Sequence, residues 1–140
     1  MSAKIILPRI LQIGAGASKE VGTILKSIGL QRPLIVTDKI MVQLGYIDSI
    51  IKGIDDEAVK MDVFDDTVPE PTVSSIQAGV DKVRGGNYDC IIALGGGSPI
   101  DSAKAIAVLG KYGGEMRDYK FPRIVDEPGL PIIAIPTTAG

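Results

Sequence analysis

The sequence predicts an α/β domain, a mostly parallel sheet with helices on both faces, and three observations carry that prediction. Short apolar runs rich in β-branched residues recur along the chain, and amphipathic helical stretches lie between them. The 140 residues are 45% hydrophobic, yet only 4% are aromatic and 17 are glycine. Such runs read as strands buried on both faces, and strands separated by helices need crossover connections, which generate parallel pairing. An interior with two phenylalanines and no tryptophan must be packed from Ile, Val, Leu and Ala set close to backbone. The length suits one domain, residues 1–140.

The elements follow in order. Residues 9–13 form a short apolar run that stops at Gly14. From Ala17 the pattern changes to Val21, Ile24, Leu25 and Ile28, the spacing of one helix face, and Gly29 ends it. Pro33 introduces Leu34-Ile35-Val36, too short for a helix, with Thr37-Asp38 at its carboxyl end. Residues 39–54 hold two short helices punctuated by Gly45, and residues 59–64 return to strand-like alternation. The Pro69-Glu70-Pro71 turn places Thr72 as an N-cap for a helix with Val73, Ile76, Val80 and Val83 on its apolar stripe. Gly85-Gly86 closes that helix. Residues 88–94 are a strand, Gly95-Gly96-Gly97 a loop, residues 98–109 a helix and residues 130–135 the last strand. The polar segment 111–129, with three glycines and two prolines, is expected to cross the surface as a loop.

Composition excludes several function classes. Fifteen basic against 17 acidic residues leave a net charge of −2 and a pI near 5.1, so no basic footprint for nucleic acid or an anionic membrane exists. Histidine is absent, which removes His-dependent triads and an imidazole general base from this chain's repertoire. Cys90 is the single cysteine, so no intramolecular disulfide forms and a reducing cytoplasm is the expected home. No run approaches the ~18 apolar residues of a membrane span, and the mean hydropathy of +0.25 reflects buried strands instead.

The strongest chemical signal is the strand 90–94 followed by Gly95-Gly96-Gly97-Ser98-Pro99-Ile100-Asp101-Ser102-Ala103-Lys104. Three glycines let backbone turn sharply and approach a ligand, and a helix starting at Ser98 aims free N–H groups and a positive dipole end at that space, which suits a phosphate or pyrophosphate. The plainer reading is a capping box between Ser98 and Asp101, with Pro99 at the first helical position. Asp101 beside a pyrophosphate would repel it, so its carboxylate is expected to point elsewhere, and Lys104 to pair with it along the helix. A second glycine loop, Gly14-Ala15-Gly16-Ala17-Ser18-Lys19, resembles a dinucleotide fingerprint. Its third glycine position holds Lys19, whose bulk opposes close helix–strand packing, so turn roles suit Gly14 and Gly16 better.

Asp38 sits where open parallel sheets bind ligands, and its carboxylate suits both hydroxyls of an adenosine ribose while repelling a 2′-phosphate, which favours NAD over NADP. Its plainer role is an N-cap for the helix starting near Lys39. Thr137 and Thr138 follow the last strand, also at a carboxyl end, and offer hydroxyls to a nucleotide. Cys90 reads as a strand filler.

Taken together, Ile35-Val36-Thr37-Asp38-Lys39, the Pro69-Glu70-Pro71-Thr72 turn, the Gly95 to Lys104 run and the terminal Ile135-Pro136-Thr137-Thr138-Ala139-Gly140 resemble the N-terminal half of an iron-dependent (group III) alcohol dehydrogenase. The resemblance covers essentially the whole chain and implies a Rossmann-like, dehydroquinate synthase-like nucleotide-binding domain. It implies that Gly95, Gly96, Gly97 and Ser98 hold the NAD(P) pyrophosphate and that Asp38 selects NAD through the adenosine ribose. Asp101 would reach toward the nicotinamide end, and Thr137 and Thr138 lie beside the nucleotide. Glu70 stands where many relatives carry Asn.

The family's longer Pro-Thr-Thr-Ala-Gly motif stops here at Gly140, and Met1 reads as a true start, so a C-terminal helical domain carrying the Asp and His metal ligands is expected beyond this chain. The resemblance implies a divalent metal, iron or zinc, acting there as a Lewis acid on an alcohol or aldehyde substrate. No catalytic or metal-binding residue is then expected within these 140 residues, and the isolated chain is expected to be inactive. An apolar face left uncovered opens a route to a homo-oligomer. Two other readings stand beside this one: a zinc-using relative of glycerol dehydrogenase or dehydroquinate synthase, and a self-standing nucleotide-binding module without catalysis.

Overall fold

The computed structural model describes residues 10–11, 21–54, 59–112 and 129–137. The chain runs β1 (Ile10–Leu11), α1 (Val21–Ile28), β2 (Pro33–Val36), α2 (Lys39–Gln43), α3 (Tyr46–Gly53), β3 (Asp62–Phe64), α4 (Val73–Arg84), β4 (Cys90–Gly95), α5 (Gly97–Tyr112) and β5 (Ile132–Pro136). The five strands form one sheet in the order β1-β5-β4-β2-β3, and every pairing is parallel.

Consecutive side chains along a strand point to opposite faces, and here both faces are covered. Leu34, Val36, Ile91 and Ala93 enter one core with Ile76, Val80 and Val83 of α4 and Ala103 and Ile106 of α5. Ile35, Ile92 and Leu94 enter the other with Val21 and Leu25 of α1 and Ile47 and Ile50 of α3. Burying a full aliphatic side chain is worth about 1.5–3 kcal/mol. The two cores are therefore what make the continuous apolar runs of β2 and β4 into central strands.

The local signals act as their chemistry requires. At Gly29 φ is +72°, the left-handed turn that lets Leu30 N donate to the Leu25 carbonyl at 2.9 Å and stop α1. Thr72 caps α4 by accepting from Ser75 N at 3.1 Å, and Ser75 Oγ accepts from Thr72 N at 3.0 Å, a capping box with serine in the third position. The strand expected over 59–64 is shorter, Asp62–Phe64, because its ladder with β2 starts at the Leu34–Asp62 pair. The last strand is shifted to Ile132–Pro136. Most of segment 111–129 lies outside the described residues.

At the amino-terminal rim of the sheet, the Asp89 carboxylate accepts from Gln31 N at 2.9 Å and Arg32 N at 3.0 Å. Beside it the Tyr88 hydroxyl donates to Asp62 Oδ2. Burial first, then that hydrogen bond and the Asp62 charge, push the phenol up to about 12 from its ordinary 10.0. The folded state holds this proton more tightly than the unfolded chain. The stabilisation is thus complete below pH ~10 and is lost as pH rises through ~12. In an alkaline absorbance titration, one of the four tyrosines is expected to ionise late in the native protein, and Tyr88→Phe to delete that late phase. A late phase that survives the substitution would place it on another tyrosine.

Candidate functional site

The connections after β2 and β4 run in opposite directions. Helices α2 and α3 carry the chain from β2 outward to β3, whereas α5 carries it from β4 the other way to β5. Two adjacent parallel strands whose exits diverge leave a crevice at their carboxyl ends, the place where open α/β sheets bind ligands. Thr37 and Asp38 leave β2 there, Gly95, Gly96 and Gly97 leave β4, and Thr137 leaves β5.

Gly95 is required by this geometry. Its φ is +136°, a region that L side chains rarely adopt, and a Cβ there would stand 2.8 Å from Pro99 Cγ and 3.6 Å from Met41 Cγ. Helices α2 and α5 converge on a residue that must have no side chain. Two residues on, at Gly97, α5 begins, and a Cβ built there meets nothing within 4 Å. Open space therefore faces the helix start, whose first N–H groups have no intrahelical partner. That cradle fits a pyrophosphate.

The rim around the glycines is tied together. Thr37, fully buried, donates its hydroxyl to the Leu94 carbonyl at 2.9 Å, and Thr37 N donates to the Phe64 carbonyl at 2.9 Å. Thr67 in turn donates its hydroxyl to the Thr37 carbonyl at 2.7 Å. Thr137 N donates to the Gly95 carbonyl at 3.0 Å. Sequence reasoning missed Thr37 and Thr67, although a threonine ending a wholly apolar strand was a signal, since a buried hydroxyl needs a partner.

Asp38 has the capping role that its position allowed. Its Oδ1 accepts from Met41 N at 2.9 Å at the start of α2, and no second hydrogen bond to this carboxylate occurs among the described residues. Beside it, Lys39 Nζ bridges two carboxylates that follow β3, Asp66 at 2.9 Å and Asp65 at 3.2 Å. The hydrogen bond to Asp66, then that to Asp65, raises the pKa of this exposed ammonium.

The Ser98–Asp101 capping box does not form. Helix α5 starts one residue earlier than expected, at Gly97, so Ser98 lies inside the helix and its hydroxyl donates instead to the Pro69 carbonyl at 2.6 Å. That bond joins the Pro69-Glu70-Pro71 turn to the glycine loop. Asp101 is 71% exposed and lies 3.9 Å from Lys104, the expected i,i+3 pair, worth little in water. The structure thus gathers Asp38, Gly95, Gly96, Gly97, Ser98 and Thr137 at one end of the sheet and sets Asp101 one turn further along α5. Thr138 and the Gly14 to Lys19 loop lie outside the described residues. Cys90 is buried in β4, and burial pushes its thiol pKa up, leaving it an inert filler. Among the described residues no group of three or more His, Cys, Asp or Glu converges to hold a metal. No described helix is long and apolar enough to cross a membrane.

The model of the iron-containing alcohol dehydrogenase family matches residues 8–140. The chain belongs to the iron-containing alcohol dehydrogenase family. Among members of this family, it is 39% identical over 134 residues to an NAD-dependent methanol dehydrogenase of Bacillus methanolicus, covering 96% of this chain and 35% of that protein. Its fold superposes with a TM-score of 0.84 on a sulfoacetaldehyde reductase from Bifidobacterium kashiwanohense in complex with NAD+, at 33% identity, covering 100% of this chain and 37% of the other. A 1,3-propanediol oxidoreductase gives a TM-score of 0.86 at 28% identity, covering 100% and 37%. The chain spans about a third of the length of these relatives.

Proposed function

We propose that residues 1–140 form one dinucleotide-binding domain that holds NAD for an alcohol dehydrogenase interconverting a small alcohol and its aldehyde. The observation that carries this reading is the juxtaposition at the carboxyl ends of β2 and β4. The Asp38 carboxylate flanks a glycine turn whose following helix opens onto empty space. The relatives named above support the substrate class and the preference for NAD.

In this reading the α5 start and the Gly95 to Gly97 backbone receive the pyrophosphate. Asp38 keeps Oδ1 on Met41 N and offers Oδ2 to the adenosine ribose, so capping and ligand binding coexist. Thr137 and Thr138 border the nucleotide, and Asp101 faces its nicotinamide end. Bound NAD supplies the hydride acceptor for the alcohol carbon. These residues serve to bind and orient the dinucleotide, and a divalent metal held by residues of a further domain would supply polarisation of the alcohol. The single buried cysteine suits a reducing cytoplasm, and a homo-oligomer is the proposed assembly.

Replacing Asp38 by Gly tests the reading. Loss of the cap to glycine costs only a few tenths of a kcal/mol, whereas loss of the carboxylate removes both a ribose acceptor and a charge that repels a 2′-phosphate. The ratio of NADP+ to NAD+ affinity, measured by calorimetric titration, is expected to rise about tenfold or more, or ~1.4 kcal/mol. An unaltered ratio would reduce Asp38 to a cap.

A further inference from the structure

We propose that Asp65 and Asp66 are positioning residues for cofactor choice: by holding Lys39 they prevent its ammonium from serving a 2′-phosphate, and they make the end of β3 anionic. The inference rests on the nucleotide site proposed above.

The argument begins with the strand order. A dinucleotide laid from the α5 start across the end of β4 to Asp38 at the end of β2 is heading toward β3, the next strand in the sheet. The residues leaving β3 are Asp65 and Asp66. Lys39, adjacent to Asp38, bonds there to both aspartates, at 3.2 Å and 2.9 Å. Asp38, Asp65 and Asp66 against Lys39 leave this corner with three negative charges and one positive, a net of −2. A 2′-phosphate brings up to two further negative charges into that field. Without Asp65 and Asp66, the same corner would present a free ammonium next to Asp38. A lysine beside the ribose carboxylate is therefore compatible with NAD selection only because its charge is occupied elsewhere.

Lys39 and Asp66 are exposed and Asp65 is half-buried, with side-chain accessibilities of 66%, 61% and 35%. Each ion pair thus adds little to stability, and substitutions here are expected to leave the fold intact. Their field nevertheless acts within a Debye length of ~8 Å at physiological salt.

The test uses the protein that carries this chain, titrated with NAD+ and NADP+ as wild type, Asp65→Asn/Asp66→Asn, the same pair combined with Lys39→Met, and Asp38→Gly. The double variant is expected to raise the NADP+ to NAD+ affinity ratio about tenfold at low ionic strength, a gain that fades near ~1 M salt, where the Debye length is ~3 Å. Adding Lys39→Met is expected to remove much of that gain, and thermal melting curves of the variants to superpose. A purely structural role for the aspartates would shift melting and leave the ratio and its salt dependence untouched, which overturns the inference. If Asp38→Gly changes the ratio and the double variant does not, the inference alone fails. If neither variant changes it, the nucleotide site fails as well.

Discussion

Valine in place of Gly97 is expected to weaken dinucleotide binding at least about a hundredfold, or ~2.7 kcal/mol, without lowering the melting temperature. Gly97 opens α5, and the position of its missing Cβ is clear of other atoms to 4 Å. A Cβ there meets no atom of another part of the chain, so a branched side chain is expected to leave the fold in place. It fills the space where a phosphate would approach the helix start, and a first-turn position is tolerant of β-branched residues. The same substitution at Gly95 would confuse the two effects, since φ of +136° and the nearby Pro99 ring make any side chain there a folding defect. Calorimetry with NAD+ and a melting curve on Gly97→Val separate binding from folding. Unchanged affinity in a folded variant would move the pyrophosphate away from this helix.

Alanine at Gly129 is expected to destabilise the domain by about 2–3 kcal/mol, a loss of roughly 10 °C in melting temperature, although it adds a single methyl group. A Cβ at this position would stand 2.6 Å from both the carbonyl carbon and the oxygen of Ala107 and 2.7 Å from Val108 N. These are backbone atoms of α5, held by helical hydrogen bonds, and Leu130 N donates to that same Ala107 carbonyl at 3.2 Å. The helix cannot yield without breaking its own ladder. Gly79→Ala is the informative control. Its new methyl also collides with neighbours, but these are the side chains of Ile106, with Cγ1 at 2.8 Å, and Phe64, with Cε2 at 3.3 Å, rather than backbone, so repacking relieves part of the clash. Helix propensity returns up to ~1 kcal/mol at the same time. Thermal melts in which Gly129→Ala and Gly79→Ala fall by equal amounts would show that the entry into β5 is softer than this packing implies.

Most of the architecture was legible from apolar periodicity because β2 and β4 are buried on both faces, and a run such as Leu34-Ile35-Val36 has no alternative in so short a chain segment. Thr72 was legible as a cap because it follows a proline turn and precedes an apolar stripe. Helix starts near glycine were not. Ser98 has the right chemistry for an N-cap, yet the triple glycine lets the helix begin at Gly97, and its hydroxyl goes to Pro69, 29 positions earlier in the sequence. Asp38 was legible as a cap, and the site role proposed for it needs the same short carboxylate at a strand's carboxyl end. The pairing of Lys39 with Asp65 and Asp66 was not, because it depends on β3 lying next to β2, and spacing alone does not disclose strand order.

The threonine bonds at the carboxyl rim have a consequence for the tempo of recognition. Strand ends generally fray, since beyond the last paired residue each carbonyl loses its neighbour. Here Thr37, Thr67 and Thr137 supply the missing partners and lace the ends of β3, β2, β4 and β5 into a continuous hem. The floor of the crevice is consequently set before any ligand arrives, and little conformational freedom remains there to be surrendered on association. On the reading proposed above, the surface that meets the nucleotide is thus already in place, and a slow step in its capture is expected to fall outside this hem.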